Sequence, residues 1–133
     1  MSDSDELEDI REQKRDRLVS DASAPESPAE PVHVESEAHL DELVADHDVV
    51  LADFYADWCG PCKMLEPTLE EIAAETTAVV AKVDVDELQS LAGAYGVRGV
   101  PTVVLFAGGE QVEQMTGVRE KHFYVDLIER SAP

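Results

Sequence analysis

After Pro31 the spacing of apolar positions changes period several times, and each change marks an expected element. Val32 and Val34 alternate with polar neighbours, the period of a short strand; Leu40, Leu43 and Val44 then share one face at helical spacing, with Ser36 placed as the N-cap. The run VVLADFYA at 49–56 is apolar throughout except for Asp53, which predicts a strand covered on both faces with one carboxylate set into it. From Pro61 to Thr76, Leu65, Leu69, Ile72 and Ala73 recur at helical spacing. Pro67 lies inside that helix and predicts a kink, because proline has no amide to offer the carbonyl of Lys63.

AVVAKVDV at 78–85 reads as a further strand, and ELQSLAGAYG at 87–96 as a short helix closed by Gly96. PTVVLFA at 101–107 and EQVEQMT at 110–116 flank Gly108-Gly109, the two-residue signature of a hairpin. The last segment, REKHFYVDLIER, predicts a helix with Phe123, Leu127 and Ile128 on its inner face. Strands separated by helices imply crossover connections and parallel pairing, to which the late hairpin adds an antiparallel edge. The expected fold class is α/β, a central mixed sheet flanked by helices on both faces.

Residues 1–31 have a different character. Leu7, Ile10, Lys14 and Leu18 recur near helical spacing, and Glu8–Arg11 and Glu12–Arg15 fall at i,i+3, which is consistent with one short solvated helix. The stretch ASAPESPAEP follows, where Pro25, Pro28 and Pro31 interrupt any regular element, the composition of a flexible linker. The expected organisation is an acidic N-terminal extension over 1–31 and one domain over 32–133. A chain of 133 residues suits a single core, since domains commonly hold about 100 to 200 residues.

Charge narrows the function classes. Lys and Arg number 10 against 30 Asp and Glu, so the formal charge is 10 − 30 = −20. A surface of that sign repels phosphate backbones and anionic lipid, which argues against nucleic acid and membrane as partners. The chain has no run of about 18 apolar residues, and MSDSDELEDI lacks the basic and apolar regions of a secretory signal. A cytoplasmic location is expected. So acidic a chain also suggests a halophilic source, because at about 1 M salt the Debye length is only about 3 Å and self-repulsion is screened.

The chemistry gathers in ADWCGPCKM, 56–64, which holds the only two cysteines, Cys59 and Cys62. Three readings compete: a metal clip, a structural staple and a reversible electron carrier. Two cysteines at this spacing supply half of a tetrahedral zinc site, but His33, His39, His47 and His122 lack the spacing of the other half. Closing so short a loop removes little chain entropy, so the pair makes a weak staple. In a reducing cytosol the spacing favours redox chemistry. The pair also lies where a buried strand passes into a helix, and the unpaired amides and macrodipole there favour a thiolate. In that reading Cys59 attacks a substrate disulfide, and Cys62 resolves the mixed disulfide with the help of a proton acceptor.

Trp58-Cys59-Gly60-Pro61-Cys62-Lys63, preceded by Asp53-Phe54-Tyr55-Ala56 and followed by Gly99-Val100-Pro101-Thr102, resembles the thioredoxin family over roughly residues 32–133. The resemblance implies a general protein-disulfide reductase, monomeric and without a bound cofactor, that acts on disulfide-containing proteins and is rereduced by a thioredoxin reductase. It implies that Asp53 is a buried carboxylate beneath Cys62 that removes its proton, that Lys82 is its ion-pair partner, and that Pro101 is cis and packs against the cysteines. Val100, Gly60, Pro61, Thr116, Gly117 and Val118 correspond to the surface that accepts an extended substrate segment, and Trp58 to a shield over the disulfide. Gly-Pro between the cysteines resembles the reducing members, whereas oxidising relatives usually carry a histidine there.

Some positions depart from the family pattern. Tyr55 stands where many relatives have a second tryptophan, Ala107-Gly108-Gly109 lacks a common lysine, and Asp57, Glu66 and Glu70 crowd the site with negative charge. A second function class remains open beside the reductase: a binding module of the same fold that docks a partner through the N-terminal extension.

Overall fold

The computed structural model describes residues 27–133, so the helix and linker expected before Ser27 lie outside it. Within that range the elements are β1 (Val32–His33), α1 (Glu37–Asp46), β2 (Val49–Tyr55), α2 (Gly60–Glu75), β3 (Val79–Asp84), α3 (Gln89–Ala94), β4 (Thr102–Ala107), β5 (Glu110–Thr116) and α4 (Lys121–Ser131). The strands form one five-stranded sheet in the order β1-β3-β2-β4-β5.

Side-chain alternation on β2 divides the core into two layers. Val49 and Leu51 face Leu65, Leu69 and Ile72 of α2 together with Tyr124, Leu127 and Ile128 of α4. Val50, Ala52 and Phe54 face the other way, toward Leu40 of α1 and Leu91 and Ala92 of α3. A strand covered on both sides has to be apolar at every position, which is why VVLADFY carries no polar alternation. Asp53 has the parity of Val49 and Leu51, so its carboxylate turns toward the α2 layer. On β3, Val80 belongs to that same layer and Lys82, two residues on, shares its face, with Asp53 and Lys82 in register across the parallel β2–β3 pair.

Local signals are met where side chains or φ angles leave one solution. Ser36 caps α1 by accepting from the His39 amide at 3.1 Å. Gly108 and Gly109 have φ of 63° and 87°, the two positive angles that a tight hairpin turn demands. α2 continues through Pro67, whose ring nitrogen has no hydrogen for Lys63.

Two expectations need correction. β1 and β3 pair in parallel, as do β2 and β3, but β4 runs antiparallel to β2, so antiparallel pairing extends beyond the late hairpin. The connection turns back on itself: Val85, which leaves β3, and Val97–Val100, which lead into β4, line one groove beside Trp58. The chain therefore enters β4 from the end of the sheet at which it left β3. The second correction concerns the inner face of α4, where Tyr124 is buried with Leu127 and Ile128, and Phe123 turns outward beneath Arg119. Tyr124 buries its ring without orphaning its hydroxyl, which accepts the Arg119 amide at 3.0 Å.

Candidate active site

The β2–α2 junction places both cysteines. Cys59 is the N-cap of α2, and its Sγ accepts the Cys62 amide at 3.1 Å. Pro61 has no amide, so Cys62 supplies the N–H that points back at this sulfur. The two residues are joined as a disulfide with Cα atoms 5.3 Å apart, an ordinary separation for such a bond. Both are nearly covered, Cys59 at 4% exposure and Cys62 at 1%, and they pack with Ala56, Tyr55, Val85 and Val100.

The chain entering β4 forms the second wall. Val100–Pro101 is a cis peptide bond, and the Val100 carbonyl lies 3.7 Å from Cys59 Sγ. The end of β5 is tied to the same wall: Gly117 N–H donates to the Pro101 carbonyl at 2.8 Å, and the Thr102 and Thr116 hydroxyls lie 3.4 Å apart. Gly117 holds φ at 97°, a conformation that glycine adopts freely. Gly60, Pro61, Val100, Thr116, Gly117 and Val118, far apart in sequence, retain solvent exposure, whereas Pro101 is buried. Beside them a groove of about 150 Å³ is lined by Trp58, Val85, Val97, Arg98, Gly99 and Val100. Trp58 is 71% exposed and forms a rim of this groove, its indole N–H donating to Asp86 Oδ2 at 2.9 Å.

The buried carboxylate is the electrostatic anomaly of the site. Asp53 is 0% exposed, and neither of its oxygens has a hydrogen-bond partner among the described residues. Lys82 Nζ approaches Asp53 Oδ2 only to 3.9 Å, while it donates to Glu66 Oε2 at 3.3 Å and lies 4.2 Å from the centre of the Tyr55 ring. Burial pushes the Asp53 carboxyl up to about 7; Lys82 lowers it and Glu66 raises it. A carboxyl that titrates near neutrality can take up or release a proton at physiological pH.

Sequence reasoning found the cysteines, Asp53, Lys82 and Pro101, and the structure gathers them at one end of the sheet. It missed Asp86, which holds Trp58 from 28 residues away with no local signal. It treated Glu66 only as part of the acidic surroundings, although Glu66 follows Cys62 by four residues and so shares its helix face. Among the described residues no group of three or more His, Cys, Asp or Glu is placed to hold a metal ion.

A mixed sheet with helices on both faces, carrying a reversible cysteine pair at a helix N-terminus opposite a cis-proline, defines a dithiol–disulfide oxidoreductase. The family model for thioredoxin matches residues 31–130. The chain is 40% identical to thioredoxin of Chlamydia pneumoniae over 102 residues, covering 76% of this chain and 99% of that protein. It is 46% identical to thioredoxin 2 of Chlorobaculum tepidum over 90 residues, covering 66% of this chain and 83% of that protein. Among solved structures, a mutant thioredoxin from Halobacterium salinarum superimposes with a TM-score of 0.79 at 58% identity, covering 83% of this chain and 97% of that one. The chain belongs to the thioredoxin family and is a protein-disulfide oxidoreductase that works by dithiol–disulfide exchange. Disulfide substrates and a reductase partner follow from that membership. Among the described residues no helix is long and apolar enough to cross a membrane.

Proposed function

We propose that this protein is a monomeric thioredoxin of a salt-rich cytoplasm, running in the reducing direction, in which Cys59 attacks, Cys62 resolves and Asp53 receives the proton. The observation that carries the reading is the unbonded carboxylate of Asp53, buried on the α2 side of the sheet and titrating at about 7. In the dithiol form the Cys62 amide, which points at Cys59 Sγ, favours the Cys59 thiolate. Cys59 Sγ bonds to one sulfur of the substrate disulfide, and the other leaves as a thiolate. Asp53 then takes the Cys62 proton, Cys62 Sγ bonds to Cys59 Sγ, and the second substrate sulfur departs. Two electrons have moved from the dithiol to the substrate, and the Cys59–Cys62 disulfide remains.

Lys82 moderates the basicity of Asp53 in this scheme, and Val100, Pro101, Thr116, Gly117 and Val118 with Gly60 and Pro61 form the bed for an extended substrate segment. Gly-Pro between the cysteines supports the reducing direction. Residues 1–31 form an extension to a domain spanning 32–133; within it Ser27 Oγ meets the Thr77 carbonyl, and Glu30 and Pro31 line a cleft beside α2.

Stopped-flow oxidation of the reduced protein by a disulfide peptide tests the role of Asp53. In Asp53→Asn the resolving step is expected to slow by about 10²-fold at neutral pH, the scale of general-base assistance. The titration near pH 7 is expected to vanish from its rate profile. An unchanged rate and profile reject the assignment.

The salt-rich setting has a separate test. With a formal charge of −20, self-repulsion opposes the compact state until counterions screen it. The thermal midpoint is therefore expected to climb continuously from millimolar to molar KCl. A flat or falling midpoint removes the halophilic reading.

A further inference from the structure

A cleft separate from the Trp58 groove opens at Lys82. It measures about 530 Å³, is lined by Ala29, Glu30, Pro31, Glu66, Glu70 and Lys82, and Lys82 connects it to the buried carboxylate. The ammonium stands between two acids on unequal terms. It is hydrogen-bonded to Glu66 at 3.3 Å, but its 3.9 Å separation from Asp53 is beyond hydrogen-bond range. The Lys82 side chain is 16% exposed and the Asp53 side chain 0%, so the charge is held toward the cleft and away from the interior.

We propose that Glu66 is a positioning residue for the active-site proton transfer: by accepting the hydrogen bond of Lys82 at the cleft it holds the ammonium off Asp53 and keeps that carboxylate a stronger base toward the Cys62 thiol. The proposal rests on Asp53 being the proton acceptor. Glu66 is suited to the task by its place in α2, one turn beyond Cys62 and on the same face. The other titratable groups around Asp53 do not duplicate it. Lys82 comes from β3, Glu66 from α2, Tyr124 from α4 and Tyr55 from β2 itself, while β4 sets Val103 opposite Asp53. Glu30 and Glu70 line the cleft, but Glu66 is the carboxylate bonded to Lys82. An opposite charge acts on a carboxyl most strongly at contact distance, so a lysine released from Glu66 and free to bond Asp53 lowers its proton affinity.

The test is a carbon-detected NMR titration of the Asp53 carboxyl in the oxidised full-length protein, wild type against Glu66→Gln, with the resolving-step pH profile measured in parallel. The Asp53 midpoint is expected to fall by about one unit in Glu66→Gln, and the rate profile to move with it. Starting from Lys82→Met, which has no ammonium to release, Glu66→Gln is expected to move the midpoint less than half as far. An equal movement in both backgrounds overturns the route through Lys82. A midpoint that stays in place in Glu66→Gln overturns the proposal alone. A midpoint that moves while the rate profile stays fixed overturns the proton-acceptor role of Asp53, and the proposal with it. Glu66 is partly exposed, so the variant retains the buried layers of the fold.

Discussion

Replacing Cys59 with serine is expected to reduce disulfide turnover to the uncatalysed background, and replacing Cys62 with serine to leave a protein that attacks once and stops. The asymmetry comes from the geometry at the start of α2. Cys59 is the N-cap, and its sulfur receives the Cys62 amide, which favours the anion that the proposed mechanism uses as nucleophile. Serine at 59 offers a hydroxyl that stays protonated at neutral pH, so no attack begins. Serine at 62 leaves the attacking thiolate intact but cannot displace the substrate from Cys59, because no second sulfur is present to form the internal bond. Insulin reduction followed by turbidity, together with non-reducing electrophoresis, reads both outcomes. The Cys62→Ser protein should accumulate a one-to-one adduct that dithiothreitol releases. An adduct that forms through Cys62 in the Cys59→Ser protein, or substantial turnover by that variant, contradicts the division of labour.

The second large effect concerns stability, and its sign is opposite to that of most substitutions in a core. Asp53 titrates at about 7 in the folded protein against an ordinary value of 3.8, so the folded state holds the extra proton between those values. Stability is then fully present below the unfolded pKa and is lost as pH rises through the folded one. The gap between the two values corresponds to a loss on the order of 4 kcal/mol, which is a large share of the roughly 5–15 kcal/mol that holds a domain folded. Asp53→Asn has nearly the same shape and cannot ionise. It is therefore expected to be more stable than wild type above about pH 7, and to lose that advantage progressively as pH falls from about 7 to about 4. Denaturant melts of both proteins at the two extremes, in molar KCl throughout, measure the difference. An advantage of equal size at both pH values would show that ionisation of Asp53 is not its cause. In the proposed mechanism the buried charge that costs stability is also the base of the resolving step.

Much of the fold and of the site was legible in the amino-acid sequence. The apolar run at 49–56 announced a strand covered on both faces because nothing in it was left for solvent, and Asp53 stood out for the same reason. Ser36 and Gly108-Gly109 declared a cap and a turn through chemistry confined to a few neighbouring residues. The motif at Cys59–Cys62 carried the redox reading, and the family comparison agrees with it. By contrast the direction of β4 depended on where the segment after α3 returns the chain, and no periodicity reports that position. The inner face of α4 turned on whether a tyrosine hydroxyl would find a partner, which Arg119 supplied from outside the helix.

The sequence by itself determined which segments become strands and helices, where the cysteines fall relative to a helix start, and that a carboxylate must enter the core, because those outcomes follow from side-chain periodicity and backbone chemistry within a few residues. Only the tertiary structure decided how Lys82 divides its charge between Asp53 and Glu66, that Asp86 holds Trp58 at the groove, and that the ends of β4 and β5 share one surface beside the disulfide. Those outcomes depend on distances of a few ångströms between residues remote in the chain. Coulomb energy and hydrogen bonding change steeply over that range, whereas the hydrophobic pattern is blind to it.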